Sequence, residues 1–211
     1  MKCSPRLLIS FIALAIMVTS CRFSDFSAKY LSNDAKLSRP VVFPQDFTKA
    51  LYKTDLSIYG RPLTGITVIK KDTTGYHVAL VSEVGLKYYE LFFPINPKQD
   101  PQVTYIMEVM NHPPVVTGLT TSFKLLFREP VYDERAHLKM NETGKTCLLY
   151  NKDKQVTTKY YFDWMSGHVE KLQQKNIIGT KTEIILANDE MNTPGTILIH
   201  RGKLSIQLIR M

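Results

Sequence analysis

Hydrophobic and polar positions follow two different patterns along this chain. Near the start, Leu7 to Val18 is an apolar run of about a dozen residues, interrupted only by Ser10 and preceded by Lys2 and Arg6. That is too short to cross roughly 30 Å of hydrocarbon as a helix. From Phe47 onward the pattern becomes alternation. Tyr52, Thr54, Leu56 and Ile58 share one face of a segment from Leu51 to Tyr59, with Lys53, Asp55 and Ser57 on the other. Period two with β-branched residues predicts strands. Further strands are expected over Leu63–Lys70, Tyr76–Ser82, Lys87–Phe93 and Gln102–Val109. Later ones fall at Thr146–Tyr150, Val156–Phe162, His168–Gln173, Thr180–Ala187, Thr196–His200 and Leu204–Arg210. Turn residues such as Gly60, Asp72-Thr73-Thr74-Gly75, Gly85, Ser166-Gly167 and Gly202 punctuate them.

One stretch has helical period instead. Val116, Leu119, Phe123 and Phe127 recur at helical spacing, Pro113-Pro114 suits a first turn after Asn111 or His112, and Glu129-Pro130 is a stop. A short helix is also expected around Phe26 to Leu37. No helical crossovers separate the strands, which excludes a parallel α/β sheet. The expected fold is mainly β: a long curved antiparallel sheet, or open half-barrel, of about 10–11 strands with one or two helices across its concave face.

The N-terminal apolar run takes its meaning from its flanks. Cationic start, apolar run and the small residues Thr19-Ser20 form the pattern of an exported precursor. Val18-Thr19-Ser20-Cys21 resembles the lipobox of bacterial lipoproteins, which implies a diacylglycerol on Cys21 and cleavage before it. The expected organisation is a signal peptide over 1–20, a lipidated N-terminus and tether over 21–45, and one β-rich domain over 46–211. Arg22 is not acidic, which in such lipoproteins implies an outer-membrane, periplasm-facing location.

Removing residues 1–20 takes Lys2 and Arg6 and no acid, so net charge falls from +8 to +6. For an exported chain this fits anionic headgroups or other envelope polymers better than nucleic acid, which is not an expected partner. Scattered lysines and arginines also suit a plain solvated surface. Besides Cys21 the mature chain would keep only Cys147, so no internal disulfide holds it together. Cys147 sits in a strand-like apolar run, where a buried inert thiol is expected.

The order of parts resembles the bacterial lipoprotein carrier and receptor fold, the Lol group, a bent antiparallel sheet with a helical lid over an apolar cavity. The segment Asp55-Leu56-Ser57-Ile58-Tyr59-Gly60-Arg61-Pro62-Leu63-Thr64-Gly65-Ile66 through Ile69-Lys70-Lys71, then Ser82-Glu83-Val84-Gly85-Leu86-Lys87, is also similar to a family of uncharacterised Bacteroidetes lipoproteins. In the Lol group the cavity receives lipoprotein acyl chains. That resemblance implies a lining of Leu56, Ile58, Ile66, Val68, Val78, Leu80, Leu91 and Phe93, with Phe123 and Phe127 from the lid. The same alternating apolar positions would serve a packed core with no ligand.

Catalytic signals are sparse. Glu134 and His137 have helical spacing but no third ligand, and Ser166-Gly167-His168 between Asp163 and Glu170 lacks a nucleophile elbow. There is no His-Glu-x-x-His, P-loop or dinucleotide fingerprint. No enzyme activity, metal or cofactor is expected. Asp72-Thr73-Thr74 resembles the short O-glycosylation motif of Bacteroidetes exported proteins, with Thr73 as acceptor. Two functions remain open: a lipid-anchored binder of acyl chains or lipoproteins, and a structural or interaction subunit of an envelope complex with a filled core.

Overall fold

The structure, a computed structural model, describes residues 26–27, 40–96, 98–128, 136–141, 146–152, 155–188 and 193–211. The expected signal peptide, Cys21, most of the expected tether and the side chain of Cys147 lie outside the described residues. So do Glu134 and the side chain of His137. Among the described residues, no helix is long and apolar enough to cross a membrane.

The N-terminal half forms an antiparallel meander of five strands. These are β2 (Lys49–Ile58), β3 (Arg61–Lys71), β4 (Gly75–Val81), β5 (Lys87–Pro94) and β6 (Gln102–Ile106). A 3₁₀ turn over Glu108–Met110 leads into helix α1 (Pro113–Phe127). The C-terminal half is a second meander. It comprises β7 (Ala136–Asn141), β8 (Thr146–Lys152), β9 (Val156–Asp163), β10 (Val169–Asn176), β11 (Lys181–Asn188), β12 (Pro194–Arg201) and β13 (Leu204–Arg210).

Strand β13 pairs with β2 over Leu204↔Ile58 to Arg210↔Tyr52 and fuses the two meanders into one open sheet. The order is β1-β7-β8-β9-β10-β11-β12-β13-β2-β3-β4-β5-β6, where β1 is the two-residue strand Phe26–Ser27. The mainly-β antiparallel class read from the sequence is the one observed. Phe26–Ser27, expected within a short helix, pair instead with Met140–Asn141. Strand β7 lies in a stretch with no strand signal strong enough to read.

Helix α1 carries the chain from the β6 edge back towards the opposite edge. It touches β10, β11 and β12 as well as β5. Strands so far apart in the sheet order can share one helix only if the sheet curls around it. Val115, Gly118, Leu119, Ser122, Phe123 and Leu126 form the stripe it buries. Gly118 permits the approach, because a Cβ there would stand 3.1 Å from Leu204 Cδ2. His112 occupies the N-cap position as read from sequence, although its side chain makes no cap hydrogen bond.

Candidate functional site

The candidate site is the interface between α1 and the concave face. On β2 the alternation works as read: Ala50, Tyr52, Thr54, Leu56 and Ile58 are buried. Val78 and Leu80 on β4, Leu91 and Phe93 on β5, and Phe123 on α1 join them. Phe127 is half-buried against the same cluster. Strand β3 has the opposite phase: Gly65, Thr67 and Ile69 are buried, whereas Ile66 and Val68 stand half-buried on the outer face. Of the ten residues named for a cavity lining, these two lie on the far side of the sheet. Register explains it. Thr67 stands opposite Tyr52, and Gly65, opposite Thr54, is where a Cβ would meet Val81 O at 2.3 Å.

Leu56, Val78, Leu80, Leu91 and Phe123 have 1% or less of their surface within reach of water. The interface is therefore closed around these side chains, with α1 filling the concavity. At the C-terminal end of α1 the packing is aromatic. Phe127 stacks on Tyr76 with centroids 4.3 Å apart at 9°, Phe93 is 5.2 Å from Phe127, and Phe43 is 5.7 Å from it. Phe43 is buried, and Val41 N donates to Gly167 O at 3.0 Å beside a bridge to His168. Residues 40–45, expected in the tether, thus pack against the domain. A cavity of about 40 Å³ remains between Val41, Phe43, Tyr76, Phe127, Tyr160 and Val169, room for about one water molecule.

Polar groups run through this apolar interface, a feature that apolar-lining logic missed. Tyr52, Thr67, Leu80 and Tyr89 stand in one cross-strand row over β2–β5, all fully buried. Tyr52 OH donates to Pro194 O at 2.9 Å, and Thr54 Oγ1 lies 2.7 Å from Thr67 Oγ1 and accepts from Thr67 N at 3.2 Å. Ser122 Oγ, on the helix side, is buried with no hydrogen-bond partner, and Tyr89 OH, on the sheet side, is buried with the Thr67 side chain beside it but no well-aligned hydrogen bond. Burial pushes the Tyr89 phenol above its ordinary range, and the Thr67 side chain offsets this only in part.

The remaining sequence candidates are structural turns. Asp163 Oδ1 accepts from Ser166 N at 2.8 Å, Ser166 Oγ at 2.9 Å and Met165 N at 3.0 Å, while His168 N donates to Ser166 Oγ at 3.2 Å. These bonds hold the Asp163 carboxyl below its usual range, with Ser166 N the largest cause. The serine is bound to the carboxylate rather than to an imidazole, which is a turn and not a nucleophile. Asp72 accepts in the same way from Thr74 and Gly75 and lies 3.1 Å from His77 Nε2, and the Thr74 hydroxyl is the main reason its carboxyl is lowered. Thr73 is exposed at this turn. His200 Nδ1 lies 3.2 Å from Ser205 Oγ. Among the described residues, no three His, Cys, Asp or Glu side chains cluster as metal ligands would.

No family model matches the chain, and no curated protein matches it. Solved structures similar to it include the following two. A LolA-superfamily protein from Nitrosomonas europaea is 11% identical at TM-score 0.49, over 80% of this chain and 86% of its own. An outer-membrane lipoprotein-sorting protein domain from Vibrio parahaemolyticus, described as putative, is 9% identical at TM-score 0.49, over 79% and 84%.

Proposed function

We propose that the protein is a non-enzymatic, lipid-anchored component of the outer membrane, facing the periplasm, that takes up acyl chains where α1 now lies. Its anchor would be the diacylglycerol on Cys21, read from the lipobox-like sequence. Its ligand would be a lipid or the acylated end of another lipoprotein. Helix α1 then acts as a lid: leaving the concave face, it vacates an apolar trough walled by Leu56, Val78, Leu80, Leu91 and Phe93.

The observation that carries this reading is the pair of sealed hydroxyls on Tyr89 and Ser122. A buried hydroxyl without a partner costs about 1–3 kcal/mol, and one such group on Ser122 with a poorly satisfied one on Tyr89 is a liability in a merely structural core. Under a lid, the Tyr89 hydroxyl is instead a donor waiting for the ester or carboxyl oxygen of a bound lipid. The closed packing favours the second reading, a subunit of an envelope complex with a filled interior and no small ligand.

Native mass spectrometry separates the two. The full chain purified from a bacterial host is expected to carry phospholipid or fatty acid. Tyr89→Phe with Ser122→Ala should cut the occupied fraction at least about fivefold, the scale of one lost hydrogen bond to ligand. Wild-type protein free of lipid, and unable to take up a fluorescent fatty acid, would favour the filled-core subunit.

A further inference from the structure

The strand register places three turns side by side at one end of the sheet. Lys175↔Lys181 closes β10–β11, Thr182↔Arg201 and Arg201↔Leu204 carry the level across β12–β13, and Leu204↔Ile58 and Ile58↔Arg61 extend it to β2–β3. The turns lie within about a residue of one another along the strands, and backbone bonds join neighbours. Tyr59 N donates to Lys203 O at 3.0 Å, and Ile177 N donates to Gln155 O at 3.0 Å.

These tips carry an unusual set of residues for water-facing turns. Ile177 is 73% exposed, Ile178 82% and Tyr59 56%, with Lys203 Nζ 5.6 Å from the Tyr59 ring centre. Hydrophobic turn residues that pack on nothing are not maintained by the fold, because Gly60, Gly179 and Gly202 with positive φ already make these turns. Around them stand Arg61, Lys175, Lys181, Arg201 and Lys203, and residues 58–61, 175–181 and 201–204 contain no acid. Lys181 is paired with Glu183 at 3.2 Å. Arg201 donates to Thr182 at 2.6 Å, which leaves Arg61, Lys175 and Lys203 exposed beside the apolar tips. Val84 and Leu86, also exposed, lie on the β4–β5 turn, which points the same way but stops five residues short of these tips, since Val81 stands opposite Ile66, and which carries exposed Glu83.

We propose that this end of the sheet docks on an anionic phospholipid surface. Isoleucine tips enter the boundary between headgroups and acyl chains, the Tyr59 ring lies at headgroup depth, and the exposed cations Arg61, Lys175 and Lys203 meet the phosphates. An acidic protein surface would satisfy the cations but leave Ile177 and Ile178 in water, so the combination selects a bilayer. The N-terminus of α1 lies at the same end, next to Leu204. Docking therefore presents the trough end-on to the membrane.

The test uses the full chain bound to vesicles, with only the floated fraction measured. Ile178→Trp in a Trp164→Phe background places the sole tryptophan at the tip, since the chain has one. Lipids brominated along the acyl chain then report depth. On phosphatidylcholine–phosphatidylglycerol vesicles the emission should shift to the blue and fall about twofold, as expected for a residue at the acyl boundary. The wild-type Trp164, at the opposite end, should not be quenched. Lys175→Glu with Lys203→Glu should abolish the quenching on these vesicles. An unquenched, red-emitting tryptophan at 178 in the floated fraction overturns the proposal, as does equal quenching on vesicles of phosphatidylcholine alone. The assay reads the tip and not the trough, so it stands or falls independently of ligand binding.

Discussion

Tyr89 and Glu183 show how much a single side chain decides here. Tyr89→Phe removes a desolvated hydroxyl that makes no well-aligned hydrogen bond and keeps the ring against Phe123, 6.3 Å away between centroids. It should raise stability by about 1 kcal/mol, read as a higher denaturant midpoint at unchanged slope. Glu183 accepts from Lys171 Nζ at 2.6 Å, Gln173 Nε2 at 2.7 Å and Lys181 Nζ at 3.2 Å, and the Lys171 bond chiefly holds its carboxyl at about 2. Its folded pKa lies below its unfolded one, so its contribution is complete above the unfolded pKa. That contribution fades as pH falls towards the folded one. A cluster this close to water contributes no more than about 1 kcal/mol. Unfolding curves of wild type and Glu183→Gln should therefore differ at neutral pH and converge as the acid range is entered. The sequence could not foresee either residue. Tyr89 reads as one more strand aromatic, and the row it joins exists only through register. On β3 the run Ile66-Thr67-Val68-Ile69 is β-branched throughout, so alternation gives no phase. Pairing with β2 sets it, by putting Thr67 against Tyr52.

At the scale of elements, α1 was the easiest part of the chain to read. Two prolines set its start and Glu129-Pro130 its end, and its apolar stripe has no competing periodicity. Its seat is specific. Gly118→Leu would drive a branched side chain into Leu204 and should cost about 1–3 kcal/mol, whereas Gly118→Ala asks only a small shift of the flexible Leu204 end. Phe123→Ala, which empties a fully buried ring position, should cost about 3–5 kcal/mol. Both are measurable by thermal or denaturant unfolding. Less legible was the segment 40–47, where Pro40 and Pro44 signal an irregular tether. Its Phe43 and Phe47, with centroids 4.6 Å apart, belong to the aromatic end of the core. Irregular backbone gives no period from which burial can be read. Strand β7, Ala136–Asn141, was missed because its alternation of Ala136, Leu138 and Met140 with polar neighbours is short and contains no β-branched residue, Phe, Tyr or Trp.

For the whole molecule, the seam between β13 and β2 is what makes one sheet from two meanders. The strands themselves were legible from alternation and turn residues. Their order was not, because a pairing between Leu204 and Ile58 leaves no local trace in sequence. The seam buries Leu204, Ile206 and Leu208 against the inner face. Deleting residues 204–211 should abolish cooperative unfolding rather than trim one edge, whereas losing an edge strand such as β6, with Val103 and Tyr105 exposed, should leave a cooperative transition. Circular dichroism melts of the two truncations would distinguish these outcomes.

That seam also orders events in time. Strand β2 is among the first strands to be made, and its partner β13 comes after every other strand, so the middle of the finished sheet is the last part that can close. Contacts of such sequence separation are slow to form. Until they do, β2 stays an open edge and the growing chain lacks a completed core. A polypeptide built this way cannot close its sheet until β13 has been made.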